Sequence, residues 1–396
     1  MKLLSITAQK PSSTGSGVYL SELLRSWNAA GHTQAVVYGC TPSDPEPEFP
    51  GVTRYPVCYE SPGLPFPVLG MSDEMPYSST RYRDLTPEQF DCFRQAFRRA
   101  VTEAVERENP DWIVCHHLYL LTALVRRWFP DRKIVGISHG SDLRQMGKNP
   151  NFREIAQESI GSLDRIVALH AAQQQEICQV FGCDPARVRV IGAGYNHRIF
   201  HRAGHPRHPG PLRLTFAGKI TEKKGVFSLI RSLDRLPFHA LSVTIAGGFS
   251  GPEEEAEIRT LARHCRYPIS FLGMMTRQEL ASLFQLTDVF VLPSFYEGLP
   301  LVTMEAMACG CRVVCSDLPG LRPWFDAHIP HHTLSFVPMP AMRRVDEPEP
   351  EQLPAFEARL AAAIEDALLS PAKIEPDLGA VSWDGVARRI LDFLEA

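Results

Sequence analysis

Two glutamates eight positions apart, Glu297 and Glu305, enclose the stretch Glu-Gly-Leu-Pro-Leu-Val-Thr-Met-Glu, and helix formers follow its proline as far as Cys309. Pro300 suits the first turn of a helix, where its missing N–H would have been unpaired anyway, and Gly310 suits the residue just past the end. Such a helix leaves the amides of Leu299, Leu301 and Val302 without intrahelical acceptors and puts the positive end of the helix dipole behind them. That is a site for an anion. Glu297 stands just before the helix and Glu305 one turn inside it, so both carboxylates flank whatever the amides hold. Carboxylates do not bind phosphate, but they accept hydrogen bonds from sugar hydroxyls. A phosphate between two polyols is a nucleotide sugar. The plain alternative is a pair of helix-terminus acids, each favourable by a few tenths of a kcal/mol.

The elements that must position these residues follow from the hydrophobic pattern. Short β-branched runs alternate with amphipathic helical stretches, the signature of parallel sheets with crossover helices. KLLSIT, QAVVYG, WIVCHH, KIVGISHG, RIVALH and VRVIGAG read as strands in the first half, and RLTFAGK, LSVTIAGG, PISFLGM, DVFVLPS and CRVVCSD in the second. Between the first two, GVYLSELLRSWNAAG carries Leu20, Leu23, Leu24 and Trp27 at helical spacing. The join falls near residues 195–211, where Pro, Gly, His and Arg replace periodic hydrophobics. At 396 residues the chain exceeds one compact core, so the expected architecture is α/β, with two Rossmann-like doubly wound domains facing across a cleft. The expected boundaries are 1–195 for an acceptor-side domain, 196–375 for a donor-side domain, and 376–396 for a C-terminal helix returning to the first. In that helix Val386, Ile390, Leu391 and Leu394 share a face.

On these residues the chain resembles the retaining GT-B glycosyltransferases of family 4. Glu297-Gly298-Leu299-Pro300-Leu301 followed by Glu305-Ala306-Met307-Ala308-Cys309-Gly310 resembles that family's E-x7-E signature. FAGKITEKKGVFSLIRSL, GGFSGPEEEAEI, DRIVALHAAQQQEI with VRVIGAGYNHRIF, HGSDL and TGSGVYLSELLRSWNAAGH resemble further family segments in the same order. The likeness runs from residue 1 to about 320. There are two departures: Lys219 replaces the usual arginine, and Asn196-His197 the usual Val-Asp.

The resemblance implies that Lys219 and Lys224 clamp a diphosphate, Glu305 binds the ribose, and Glu297 the hydroxyls of the transferred sugar. Lysine is a point charge for phosphate and lacks the bidentate fork of arginine. His139 would sit near the sugar and the departing phosphate, while Gly15 and Gly17 would let backbone amides approach the same group. Gly218 begins the loop that leads to Lys219, and Met274 falls where the family's base-binding loop lies. The implied activity is retaining, metal-independent transfer of a hexosyl-type sugar, with a UDP-sugar favoured as donor and no cofactor. The acceptor would be a carbohydrate or a lipid-linked hydroxyl, in glycan, glycolipid or cell-envelope polysaccharide synthesis. A non-catalytic GT-B binding or scaffold subunit is the alternative that the two departures allow. A Rossmann dehydrogenase fits less well, since TGSGVYLSE lacks the full G-x-G-x-x-G and no acid ends QAVVYG.

Other features narrow the function. Acids outnumber Lys and Arg by 45 to 41 and the basic residues form no long block, so a nucleic-acid partner is not expected. No apolar run approaches the roughly 20 residues of a membrane span, and MKLLSITAQKPSSTGSG reads as a first strand, not a signal peptide. The expected location is the cytoplasm, extending to weak peripheral contact at the inner face of the membrane. The ten cysteines include no C-x-x-C pair, and ACGCRVVCS reads as packing. No D-x-D occurs, and HIPHH (328–332) lies in an irregular loop, so no metal ligands are assigned. His116 and His117 read equally well as structural or as acceptor-lining. The helix FRQAFRRAVTEAVER sets Phe93, Phe97, Ala100, Val101 and Ala104 on one face, as a core helix does. Segment 60–86, with Phe66, Tyr77, Arg81, Tyr82 and Arg83, reads either as an acceptor-recognition loop or as a surface insertion.

Overall fold

The computed structural model describes residues 1–11, 13–72, 75–203, 210–370 and 376–396. Part of the sequence-read join, residues 204–209, lies outside the described residues. The chain forms two compact units, Met1–Gly194 with Trp383–Ala396, and Tyr195–Ser382. The C-terminal segment thus enters the first unit at Trp383, later than the expected residue 376.

The first unit carries a seven-stranded sheet of β1 (Lys2–Ile6), β2 (Thr33–Cys40), β3 (Val52–Cys58), β4 (Trp112–His116), β5 (Ile134–Ile137), β6 (Arg165–Ala168) and β7 (Val188–Val190), in the order β3-β2-β1-β4-β5-β6-β7. All neighbours are parallel. β3 was not legible in the sequence because it is an edge strand: its burial alternates and it contains Pro56, a residue that edges tolerate. The helix Pro87–Glu108 opens on a reciprocal capping box between Thr86 and Gln89 and buries Phe93, Phe97, Val101 and Ala104. Segment 60–86, outside residues 73–74, is packed: Leu64, Phe66, Leu69, Met71 and Tyr82 are buried in the first core.

The C-terminal helix Trp383–Glu395 docks on the helix Gly15–Ala29. Trp27 Nε1 donates to Ala387 O at 3.1 Å, Ser26 Oγ meets Asp384 Oδ1 at 2.7 Å, and the rings of Tyr19 and Trp383 meet edge to face. Trp27 and Trp383 are both fully buried, so the contact is a hydrophobic seam with polar ends.

The second unit carries a six-stranded sheet of β8 (Leu212–Ala217), β9 (Leu241–Ala246), β10 (Ile269–Gly273), β11 (Val289–Leu292), β12 (Arg312–Ser316) and β13 (Leu334–Val337), in the order β10-β9-β8-β11-β12-β13. All neighbours are again parallel. Each sheet therefore runs outward from its first strand in both directions. The switch points lie between β1 and β4 and between β8 and β11, where open sheets of this kind leave a crevice for ligands. Cys309, Cys311 and Cys315 are buried in the second core. No helix among the described residues is long and apolar enough to cross a membrane.

Candidate functional site

In the second unit, glycines draw the ends of β8 and β9 together. Gly218 N–H donates to Ala246 O at 3.0 Å and Ile220 N–H to Gly248 O at 2.9 Å. A Cβ on Gly247, at φ 136°, would stand 1.8 Å from Gly218 O, so no larger residue permits this approach. Half-buried Lys219 follows. Thr221 then caps the short turn Glu222–Lys224, accepting from Lys224 N–H at 3.3 Å. Gly225, at φ 70°, lies against β11: a Cβ there would meet Pro293 O at 2.1 Å. Phe295 N–H donates to Lys223 O at 3.0 Å. The 218–225 loop is thereby stitched to the turn that carries Glu297.

Three ion pairs lie around these loops. Lys224 Nζ lies 2.5 Å from Glu297 Oε1, with side chains 28% and 16% exposed. Arg277 lies 3.3 Å from Glu305 Oε1, and Glu305 is buried. Arg277 also stacks over the Phe200 ring, 5.4 Å from its centre. Lys223 pairs with fully buried Asp346 at 3.1 Å. The helix that follows Glu297 and contains Glu305 spans Leu301–Ala308, with no side chain capping its start. Pro300 is its N-cap residue, one position earlier than the first-turn place read from the sequence. Gly310 follows its end at φ 90°. Met274 is exposed, and its Sδ lies 3.3 Å from where a Cβ on Gly248 would stand, beside the Gly247–Gly248 turn.

In the first unit, the residue types of the β4 and β5 ends produce a histidine cluster. His116 Nδ1 and His139 Nε2 are 3.1 Å apart with rings stacked, and the His117 ring lies 4.7 Å from that of His139. Tyr19 meets His139 edge to face and donates its hydroxyl to Gly192 O. Burial, and for His116 the neighbouring His117, pushes His116 and His117 down to about 3, so both are neutral at physiological pH. The same burial with two histidine neighbours holds His139 well below its ordinary range. Fully buried Asp142 accepts from the N–H groups of Leu118, His139 and Leu143 and from Ser138 Oγ, tying the β4 and β5 loops together. Burial outweighs these bonds and raises its carboxyl.

Two contacts involve residues expected at the site. Lys224 and Glu297, assigned separate duties, are paired with each other. The amide of Gly17 is occupied: it donates to Thr14 Oγ1 at 3.1 Å as part of the N-cap of Gly15–Ala29. Gly15, by contrast, opens that helix with no atom within 4 Å of where its Cβ would be. Arg277, Asp142 and Asp346 escaped the sequence reading. An acid three residues after His139 in HGSDL is a loop-capping signal for Asp142, whereas no local spacing announces Arg277 or Asp346.

Two Rossmann-ordered units, each with polar groups gathered at its switch point, define the GT-B class. A family model described as Glycosyltransferase Family 4 matches residues 13–198, and one described as Glycosyl transferases group 1 matches residues 197–329. The chain belongs to this glycosyltransferase family. D-inositol 3-phosphate glycosyltransferase of Rhodococcus erythropolis is 28% identical over 255 residues, 57% of this chain and 57% of that protein. The chain thus matches little more than half the length of such relatives. Among solved structures, sucrose-phosphate synthase from Thermosynechococcus elongatus superposes with a TM-score of 0.66 at 17% identity, covering 100% of this chain and 98% of that one. Anabaena HepE, solved in complex with UDP and glucose, does so with a TM-score of 0.62 at 15% identity, covering 100% and 99%. At these identities the likeness is one of fold.

Proposed function

We propose that this protein is a retaining glycosyltransferase that moves a hexosyl-type sugar from a nucleotide diphosphate sugar, with UDP favoured, to a carbohydrate or lipid-linked hydroxyl in glycan, glycolipid or cell-envelope polysaccharide synthesis. The observation that carries the reading is the uncapped start of the helix Leu301–Ala308 with the Lys224–Glu297 pair before it and the Arg277–Glu305 pair inside it. There one turn and helix supply two carboxylates and the helix's first amides, and Lys224 and Arg277 reach them from other elements. The solved complex of HepE with UDP and glucose supports the choice of donor.

In this reading Glu305 accepts from the ribose and Glu297 from the transferred sugar. Lys219, Lys224 and the amides of Leu301 and Val302 meet the diphosphate, with Gly218, Gly298 and Leu299 shaping its loops and Met274 beside the base. Gly15 admits a backbone amide close to the donor. The acceptor oxygen attacks the anomeric carbon on the face the leaving group vacates, and the bond from that carbon to the phosphate oxygen breaks. The departing phosphate takes the acceptor proton, and neutral His139 stabilises the sugar without competing for it. No protein nucleophile is required. Lysines and the helix dipole are preorganised for the charge that develops on the leaving group.

Hydrolysis of nucleotide sugars without acceptor, assayed across a donor panel with the product anomer read early by proton NMR, tests the reading. Release of the retained anomer from one donor is the expected result. A chain that binds nucleotide by calorimetry yet hydrolyses no donor is a binding subunit, and that result overturns the proposal.

A further inference from the structure

The switch point of the first sheet encloses a cavity of about 10 Å³, lined among others by Gln9, Met71, Tyr82, His116, His117 and Tyr119. Gln9 follows β1, and the histidines and Tyr119 lie at the end of β4. Gln9 Nε2, His116 Nε2, both ring nitrogens of His117 and the Tyr119 hydroxyl are buried with no hydrogen-bond partner among the described residues. His117 is also held in the left-handed region, at φ 72°, by its N–H on Ile137 O and by the Thr122 hydroxyl on its carbonyl. Buried unpaired polar atoms are rare, and several around one space indicate an occupant. Backbone strain in a β4 end that packing over-determines points the same way.

The chemistry of the lining selects that occupant. No charged side chain lines the cavity, so neither a cation nor an anion is matched. The Gln9 amide nitrogen only donates, whereas the neutral His117 ring offers one donor and one acceptor and the tyrosine hydroxyl either. A carbonyl would leave the imidazole lone pair unmet. A hydroxyl satisfies both kinds of partner, and the volume admits one oxygen but no ring.

We propose that this cavity takes one hydroxyl of a polyhydroxylated acceptor, bound between Gln9, His117 and Tyr119. That the polyol is an acceptor rests on the proposed glycosyltransferase activity, whereas the hydroxyl site does not. A trapped water has the same hydrogen-bonding chemistry, and the experiment separates the two sources.

The full-length chain, with histidine rings labelled by nitrogen-15, is titrated with glycerol as the probe, and His117 is assigned from the His117→Gln variant. Both His117 ring nitrogens should shift saturably with glycerol and stay still with dimethoxyethane, which accepts hydrogen bonds but donates none. Tyr119→Phe removes one oxygen without emptying the space and should weaken the glycerol response about five- to tenfold. Gln9→Met serves the same purpose should the tyrosine variant fail to fold. His117 resonances indifferent to glycerol would identify a permanently held water and overturn the proposal, as would an equal response to dimethoxyethane. The titration uses no nucleotide sugar, so its failure leaves the proposed transferase activity standing, and a missing transferase activity leaves the titration readable.

Discussion

The ammonium of Lys224 stands 2.5 Å from the carboxylate of Glu297, although 73 positions separate them in the chain. At rest each neutralises the other in a half-buried place. In the proposed function, a diphosphate arriving at the start of the helix Leu301–Ala308 would compete for the lysine, whose flexible stem lets it turn. Glu297 would then be released to accept from a sugar hydroxyl, and the pair would couple arrival of the anion to recognition of the sugar.

The two glutamates are expected to differ in what they bind. Glu305→Ala should weaken binding of bare UDP, because the proposed ribose contact would be common to donor and product. Glu297→Ala should bind UDP at least as well as the parent, since it frees Lys224, while turnover falls. Calorimetry with UDP decides this, and equal losses in both variants would sink the assignment.

Lys224→Ala should act mainly on turnover, because charge on the leaving group grows in the transition state. Removing one partner of a desolvated charge pair costs about 2–5 kcal/mol. At about 1.4 kcal/mol per tenfold, transfer should slow roughly 30- to 3,000-fold. Lys219→Arg should keep much of the activity. Parent activity should survive EDTA, and loss to the chelator with recovery in magnesium or manganese would put the leaving-group charge on a metal instead.

Gly225→Ala should destabilise the second unit, on the order of 3 kcal/mol, because the residue is left-handed and its Cβ would stand 2.1 Å from Pro293 O. Gly210→Ala, with open space and ordinary backbone, should stay within about 0.5 kcal/mol of the parent. Urea unfolding of both variants checks the contrast, which disappears if the Gly225 loop moves freely.

Stability should fall in acid. His116 and His117 titrate near 3 in the fold because they are buried, whereas an unfolded histidine titrates near about 6.5. Between those values the unfolded chain binds more protons, so the contribution is fully present above about 6.5 and is lost as the pH falls toward 3. The slope is at most roughly 1.4 kcal/mol per pH unit for each histidine. His116→Asn should remove one histidine's share of that slope, as read from urea midpoints at a series of pH values. An unchanged slope would mean that the cluster is not buried neutral.

Sequence alone determined the parallel α/β class, most of the strands and the strand-turn-helix that carries Glu297 and Glu305. Each is written in contiguous residues: β-branched runs, a proline at the helix start, a glycine past its end. Strand β3 stayed hidden because an edge strand buries only one face and Pro56 reads as a breaker. The packed segment 60–86 was ambiguous because its order comes from Leu64, Phe66 and Tyr82 entering a core built by other elements.

Tertiary structure alone decided which charged and polar groups meet. Lys224 finds Glu297, Arg277 finds Glu305 and His116 finds His139, across 73, 28 and 23 positions respectively. The reason lies in the sheet. Parallel neighbours need a crossover between them, so strand ends that touch in space are far apart in the chain. Each crossover erases the local spacing from which a partner could have been read.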